Sequence, residues 1–256
     1  MFRFQLCSYL GLSLWILLSS PRLLSADVAV DFQSEVIPML TRAGCNAGDC
    51  HGSAAGRGGF HLSLLGSNPD RDFAAITSEF KGRRLNLKHP GESLILKKPT
   101  GYVDHGGGAV LDVDSDEAAL LERWIAEGAR DVAQRKLTQF HVGLSSGNST
   151  IAKGQGGLVR ALATFSDGTQ LDVTDRVTWS VQDKDALQLD TTTGELTALR
   201  SGQHVLIARF MNQVKPLMVQ VPFNRSPDEL AVDHDLSRLH SIDQEIVGKL
   251  LQLNLE

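Results

Sequence analysis

Cysteine is scarce in this sequence: only three occur among 256 residues, and two of them stand close together. Four residues separate Cys45 from Cys50, and His51 follows directly, whereas Cys7 lies in the amino-terminal segment. A structural zinc site normally takes four ligands from two separated pairs, and no second cysteine pair exists. A redox dithiol normally spaces its cysteines by two residues. The stretch Gly44–Gly59, "GCNAGDCHGSAAGRGG", therefore needs another explanation.

Clusters of basic residues are also missing. The chain has 25 Lys and Arg against 30 Asp and Glu, a net charge of −5, and the basic residues are scattered. Nucleic-acid binding needs clustered cations that neutralise phosphates, so no nucleic-acid partner is expected. The sequence also lacks a Ser-His-Asp order, a pair of acid–base carboxylates and a phosphate loop in a supporting context. No catalytic residue is predicted.

The sequence has one long apolar run, which lies at the amino terminus. Arg3 precedes the run "YLGLSLWILL", and small residues lead to a cleavage position after Ala26, as in a signal peptide. The run is shorter than the ~20 residues of a membrane span, although a single anchoring helix is the alternative interpretation. We therefore expect a signal peptide over residues 1–26 and export to the periplasm, cell surface or extracellular space. Its removal leaves two cysteines in an oxidising compartment.

The remaining chain changes pattern twice. Residues 27–132 contain three helical patterns separated by glycine-rich loops. The first is "DFQSEVIPMLTRAGC", which Pro38 should bend, and the second is "NPDRDFAAITSEF", with Asn68 as its cap. The third is "DSDEAALLERWIAEGA", which Asp114 or Ser115 can cap. Residues 136–223 alternate between apolar and polar side chains, with recurring turn signals, which predicts an antiparallel β-sandwich with Trp179 in its core. Residues 224–256 indicate a linker and the start of a helical domain that is cut short. The expected fold class is multidomain α plus β.

The Cys45–Cys50–His51 motif leaves two interpretations open. A Cys45–Cys50 disulfide explains both thiols but not the histidine. Covalent attachment of c-type haem explains all three residues, because two thiols bind the vinyl groups and the histidine ligates iron. The standard motif has two residues between the cysteines, and here there are four, namely "NAGD".

The order of several motifs resembles a known family. The stretches "VIPMLTRAGCNAGDCHG", "GRGGFHLSLLGSNPDRDFAAI", "HPGESLILKKPTG", "HGGG" and "LLERWIAEGA" resemble the cytochrome c-like domain at the front of large secreted planctomycete-type proteins. The stretches "ATFSDGTQLDVTDRVTWS" and "GELTALRSGQHVLIARF" resemble a bacterial Ig-like domain of group 2, and the last 16 residues resemble the opening of an uncharacterised domain. The resemblance implies a small all-α cytochrome c-like domain, an antiparallel Ig-like β-sandwich and a missing remainder.

The resemblance also implies a cofactor and its ligands. One covalent haem c per chain would be attached to Cys45 and Cys50, with His51 as the proximal iron ligand. In the resembling domains the loop before the last helix carries the distal ligand, and His105 occupies that place here. His61 is the alternative distal ligand. The methionines of the mature chain are expected to pack in cores. Arg57, Arg83 and Arg84 could contact the haem propionates, and a solvated surface position is the alternative for each.

Two functions from different classes follow. The first is an exported, iron- and haem-binding electron-transfer module fused to an Ig-like spacer. Its partner would be an unidentified redox protein, and the spacer would contact polysaccharide or a cell-surface protein. The alternative is a haem-free extracellular binding or adhesion protein with a Cys45–Cys50 disulfide.

Overall fold

The computed structural model describes residues 29–132, 135–224 and 240–255. The predicted signal peptide, Cys7 and most of the predicted linker lie outside these residues. The helices are α1 (Ile37–Arg42), α2 (Pro69–Thr77), α3 (Leu94–Lys97), α4 (Asp116–Ala126) and α5 (Ser241–Gln252). The strands are β1 (Leu137–Leu144), β2 (Gly156–Phe165), β3 (Gln170–Asp172), β4 (Thr178–Val181), β5 (Leu187–Leu189), β6 (Glu195–Ala198), β7 (Gly202–Phe210) and β8 (Gln213–Val221). No helix in the described part of the chain is long and apolar enough to cross a membrane.

The first predicted helix is divided in two. A π-helical turn over Phe32–Val36 precedes α1, and the Ile37 N–H donates to the Phe32 carbonyl. Pro38 follows at once and has no N–H to continue the regular ladder. The Asp31 carboxylate caps the start of the turn by accepting from the Ser34 N–H at 2.7 Å. The capped turn fixes the direction of α1, which ends at Arg42, just before the cysteine loop.

The caps of α2 and α4 match the prediction. The Asn68 side chain accepts from the Arg71 N–H, with Pro69 in the first helical position. The Ser115 side chain accepts from the Ala118 N–H at 3.2 Å. Helix α2 ends three residues earlier than the pattern predicts, because Phe80 and the following lysine adopt positive φ values.

An aromatic cluster anchors the amino-terminal unit, residues 29–132. The Phe32 ring lies 5.2 Å from the rings of both Phe73 and Trp124, measured between ring centres. These residues bring the start of the unit, α2 and α4 together in one buried core. The indole Nε1 donates to the Arg130 carbonyl, so the polar atom of Trp124 is satisfied. The core thereby fixes α1, at whose carboxyl end the site begins.

The second unit, residues 135–224, consists of two antiparallel sheets. One has the order β1-β2-β6-β5, with β3 pairing with β2, and the other has the order β4-β7-β8. The inward side chains of both sheets form one apolar core. Trp179 lies in this core, as predicted, with 8% of its surface exposed. Its Nε1 donates to the Thr174 carbonyl at 3.2 Å.

The structure shows that the predicted fold class is wrong. The largest assembly of regular structure is the pair of antiparallel sheets, and the helices are few and short. The unit of residues 29–132 is held mainly by turns, so it is not the small all-α cytochrome c-like domain expected ahead of an Ig-like sandwich. Positive φ values interrupt helical continuity in this unit at several glycines: Gly44, Gly56, Gly58, Gly59, Gly66 and Gly82.

Candidate cofactor site

The cysteine loop begins where α1 ends. The Cys45 N–H donates to the Leu40 carbonyl at 2.9 Å, and the His51 N–H donates to the Cys45 carbonyl at 3.0 Å. Within the loop the Cys50 N–H donates to the Ala47 carbonyl at 3.0 Å. The four intervening residues thus form turns that return the chain to its starting point. The longer spacing is accommodated without separating Cys50 and His51 from Cys45.

Asn46 holds this loop from the inside. It is fully buried, and its amide nitrogen donates to Thr41 Oγ1 at 2.9 Å. A Cβ atom at Gly52 would lie 2.0 Å from the Asn46 carbonyl oxygen, so the backbone approaches too closely there for any side chain. The close approach fixes the residue that directly follows His51.

His51 is oriented by the segment after the loop. Its Nδ1–H donates to the Phe60 carbonyl at 3.1 Å, and its own carbonyl accepts from the Leu62 N–H at 2.9 Å. Burial lowers the pKa of His51, and the nearby His105 adds to this shift. The imidazole is therefore neutral at neutral pH. With the proton on Nδ1, the lone pair lies on Nε2, as in a metal-ligating histidine.

His105 is held in the same way on the glycine loop before α4. Its Nδ1–H donates to the Gly108 carbonyl at 2.8 Å, which again leaves Nε2 as the acceptor nitrogen. The ring centres of His51 and His105 are 6.0 Å apart, and their planes are inclined by 19°. Two imidazoles that each bind one metal ion through Nε2, at about 2.0 Å, have ring centres about 6 Å apart.

A cavity of about 500 Å³ lies at this pair of imidazoles. Cys45, Cys50, His51 and His105 all line it. Its apolar wall consists of Leu40, Phe60, Leu62, Leu94, Ile95 and Val110. The charged residues in the lining are all cations: Arg57, Arg83, Arg84 and Lys98. The cavity suits an apolar ligand that carries negative charge.

The two cysteines are free thiols in this structure. Burial, reinforced by the neighbouring Cys50, raises the pKa of Cys45 from 9.0 to about 11. The Cys45 thiol is therefore protonated at neutral pH, and in this conformation it is a weak nucleophile.

The alternative ligands lie elsewhere. His61 is not in the cavity lining, and its Nδ1 accepts from Arg71 Nη2 at 2.7 Å. Met39 is buried in the core of the amino-terminal unit. Met211 and Met218 belong to the second unit. The structure thus brings Cys45, Cys50, His51 and His105 together.

Phe60 was not identified from the sequence as a residue of the site, and the inward position of Arg84 was not predicted. Phe60 contacts the His51 ring, with ring centres 4.7 Å apart, and Arg84 lies 4.3 Å from the centre of the Phe60 ring. Arg84 was one of three arginines considered for a ligand's carboxylates, and the pair Arg83-Arg84 does not reveal which one turns inward. Phe60 lies in a glycine-rich loop, where no helical or strand periodicity predicts which side chains are buried.

The predicted metal-binding and iron-binding character is not supported by the residues themselves. Across residues 29–132, 135–224 and 240–255, no group of three or more His, Cys, Asp or Glu is placed to hold a metal ion. The prediction of a metal site built from protein ligands is therefore wrong. The cavity offers two imidazoles, so any metal bound there needs its other ligands from a non-protein group.

No family model matches the chain, and no curated protein matches it. Among solved structures, domains 4 and 5 of the S-layer protein SbsC match with a TM-score of 0.29 and 12% identity, over 34% of this chain and 53% of that chain. Domains 4–9 of surface layer protein SbsC match with a TM-score of 0.29 and 14% identity, over 37% and 15%. This chain spans about half the length of the first match and less of the second. At this TM-score the likeness carries no argument about the fold, the location or the activity of this chain.

Proposed function

We propose that this cavity holds one covalently attached haem c per chain and that the protein transfers electrons outside the cytoplasm. The observation that carries the proposal is the His51–His105 pair, 6.0 Å apart between ring centres, in a cavity that both cysteines also line. His51 and His105 would hold the iron of a bound haem, and Cys45 and Cys50 would bind its vinyl groups. The chain offers the imidazoles of His51 and His105, both of which line the cavity.

The rest of the cavity fits the same group. A porphyrin has a flat apolar body, two vinyl groups that react with thiols and two carboxylates. The apolar wall accommodates the body, and Cys45 and Cys50 supply the two thiols. Arg57 and Arg83 are exposed at the rim, where their guanidinium groups suit the carboxylates.

The residues of this chain would bind the haem, orient its histidine ligands and shield it from water. His51 and His105 are held by the carbonyls of Phe60 and Gly108, which fixes the nitrogen that faces a metal. The apolar wall would shield a haem bound in the cavity from water. When bound, haem supplies one-electron redox chemistry, and two imidazole ligands give a lower potential than one imidazole and one methionine.

The proposal includes export of the protein and an interaction with a redox partner, and it agrees with the family resemblance of the sequence. Thiol attachment of haem is expected in an exported protein, and the signal-peptide pattern predicts export. The partner would be another redox protein. The second unit would act as a spacer or contact polysaccharide or a surface protein.

A second candidate is a haem-free extracellular binding protein. It is favoured by the predominance of antiparallel sheet and by the lack of an ion-binding cluster in the described residues. Cys45 and Cys50 would then form a disulfide, and the second unit would carry the binding surface.

One experiment separates the two candidates. The full chain is produced with a periplasmic haem-attachment system, and its visible spectrum and denatured mass are recorded. We expect a low-spin spectrum and a mass increase of one haem that survives denaturation. A colourless protein whose mass is lower by two hydrogens would support the disulfide and reject the haem proposal.

The distal ligand is tested by a matched pair of variants. His105→Ala should give a high-spin or water-ligated haem that binds carbon monoxide readily, because one axial imidazole is removed. His61→Ala should retain the low-spin spectrum, since His61 does not line the cavity. The reverse pattern would assign the distal position to His61.

A further inference from the structure

Arg84 is a charged residue buried next to the cavity. Only 7% of its surface is exposed. Its Nη1 donates to the Ala75 carbonyl at 2.7 Å, and its Nη2 donates to the Gly59 carbonyl at 3.0 Å. A buried charge is costly unless it is well hydrogen-bonded, and the two-pronged guanidinium meets that need with two carbonyls. The side chain therefore joins α2 to the segment that follows the cysteine loop.

The same guanidinium packs against Phe60. Arg84 Cζ lies 4.3 Å from the centre of the Phe60 ring, within the range of a cation–π contact. Arg84 thus holds the Phe60 ring by this contact. It also holds the residue before Phe60, because its Nη2 donates to the Gly59 carbonyl. In turn Phe60 holds His51, through the 3.1 Å hydrogen bond to its carbonyl and through ring contact.

The charge of Arg84 is only partly neutralised. Glu79 Oε2 lies 3.5 Å from Nη1, and the Glu79 side chain is 47% exposed, so water screens much of its effect. The charged residues in the cavity lining are all cations. A fixed positive charge consequently remains beside the cavity, in surroundings where screening is weak.

We infer that Arg84 is a positioning residue for His51, acting through Phe60, and a fixed positive charge that favours the reduced state of a redox group in the cavity. The first half stands on the contacts of this chain alone. The second half rests on the proposed function. Oxidation of the bound iron adds one positive charge, which a nearby cation disfavours.

The positioning role is tested in the haem-free full chain by nitrogen NMR of the histidine rings. We expect the wild-type protein to show His51 as the Nδ1–H tautomer. In Arg84→Met and Arg84→Lys the Nε2–H form should rise at least threefold, because neither side chain bridges two carbonyls while stacking on Phe60. Arg160→Met removes the same charge at an exposed site on β2 and should leave the His51 tautomer unchanged.

Exchange of the Leu121 backbone amide, in the buried core, reports general destabilisation in the same samples. A tautomer change with Leu121 exchange unaltered supports the positioning role. An unchanged His51 tautomer overturns it. If Arg84→Met does not fold, Arg84→Lys alone decides between these results.

The charge role is tested by potentiometric titration of the haem-loaded full chain. Arg84→Met should raise the ferric-to-ferrous ratio at a fixed electrode potential about tenfold, equivalent to about 59 mV for one electron. Arg84→Lys keeps the charge and should stay within about threefold of wild type, as should Arg160→Met. Equal potentials in Arg84→Met and wild type would overturn the charge role. Failure of the wild-type chain to take haem would reject the proposed function and the charge role together, while the tautomer result would still decide the positioning role.

Discussion

The two units differ in what they bury. Eight of the ten buried polar or charged residues of the described chain lie in the amino-terminal unit: Asp31, Ser34, Thr41, Asn46, Ser63, Asp72, Arg84 and Ser93. The second unit buries Thr174 and His204 and is otherwise an apolar core between two sheets. Buried polar groups need specific partners, whereas apolar packing depends on shape and volume. The amino-terminal unit is therefore organised to hold loops in place around a cavity.

Asp72 illustrates the difference. It is completely buried, and its carboxylate accepts from both the N–H and the hydroxyl of Ser63, at 2.5 and 2.6 Å. Burial raises the pKa of Asp72, and the bonds from Ser63 oppose that rise. The pair ties α2 to the segment that orients His51.

The largest expected effect follows from removing the two thiols of the amino-terminal unit. The double variant Cys45→Ala/Cys50→Ala should lose all covalent haem, because both thiols in the cavity lining are removed. Its amino-terminal unit should melt earlier than that of the loaded wild type, since a bound ligand stabilises the folded state. The melt of the second unit should not move. Denatured mass and scanning calorimetry measure the two effects.

Met211→Leu, in the second unit, is the control for this experiment. It should load haem normally and leave the amino-terminal transition unchanged. Covalent haem in the double-cysteine variant would contradict the proposed attachment.

The next effect concerns the reactivity of Cys45. With its pKa raised from 9.0 to about 11, Cys45 should carry about a hundredfold less thiolate at pH 8 than an unperturbed thiol. Its alkylation in the haem-free folded chain should be slow and should rise with pH until about 11. Peptide mass spectrometry after timed iodoacetamide treatment measures the rate. Urea-unfolded protein is the control, in which the reaction should be fast; equal rates in both states would contradict the burial of this thiol.

Substituting one buried tryptophan in each unit compares the free energies of unfolding of the two units. Trp179→Ala should reduce the free energy of unfolding of the second unit by about 3–5 kcal/mol, because a buried aromatic side chain leaves a cavity. The visible spectrum of the loaded protein should remain unchanged. Trp124→Ala should cause a similar loss in the amino-terminal unit and should also reduce haem loading. Urea titration followed by circular dichroism and by visible absorbance separates the two; parallel effects of both substitutions on haem loading would show that the units are not independent.

The smallest expected effect tests a helix cap. Asn68→Ala should cost about 1 kcal/mol of unfolding free energy, because the Arg71 N–H loses its side-chain acceptor. The loss should appear in the amino-terminal transition alone. Asn148→Ala, in an exposed turn of the second unit, is the matched control and should leave that transition in place. An Asn68→Ala protein as stable as wild type would show that solvent replaces the cap.

Local signals in the sequence predicted local features well. Asn68 and Ser115 cap their helices as expected, and Trp179 is buried as expected. Each feature depends on a few neighbouring residues. The placement of His51 and His105 in one cavity came from a motif and a resemblance, not from periodicity. The structure places both residues there, and the haem they would bind remains a prediction.

The failures have a common physical cause. The predicted helices and the all-α character of residues 27–132 rested on helical periodicity between glycine-rich loops. Backbone with positive φ, as at Leu65 and Phe80, ends helices where side-chain patterns do not. The burial of Arg84 was not predicted, because its partners are the carbonyls of Gly59 and Ala75, nine or more residues away. Such contacts are set by the tertiary fold.

The close approach at Gly52 has a consequence for how this loop can vary. A methyl group there would overlap the Asn46 carbonyl oxygen at 2.0 Å, and that oxygen belongs to backbone, which cannot rotate away as a side chain can. In a mutational scan, position 52 should therefore tolerate no replacement, even by alanine. Gly58, whose added Cβ would meet nothing within 4 Å, should tolerate asparagine despite its positive φ. The two glycines, six residues apart, would thus have opposite mutational tolerance.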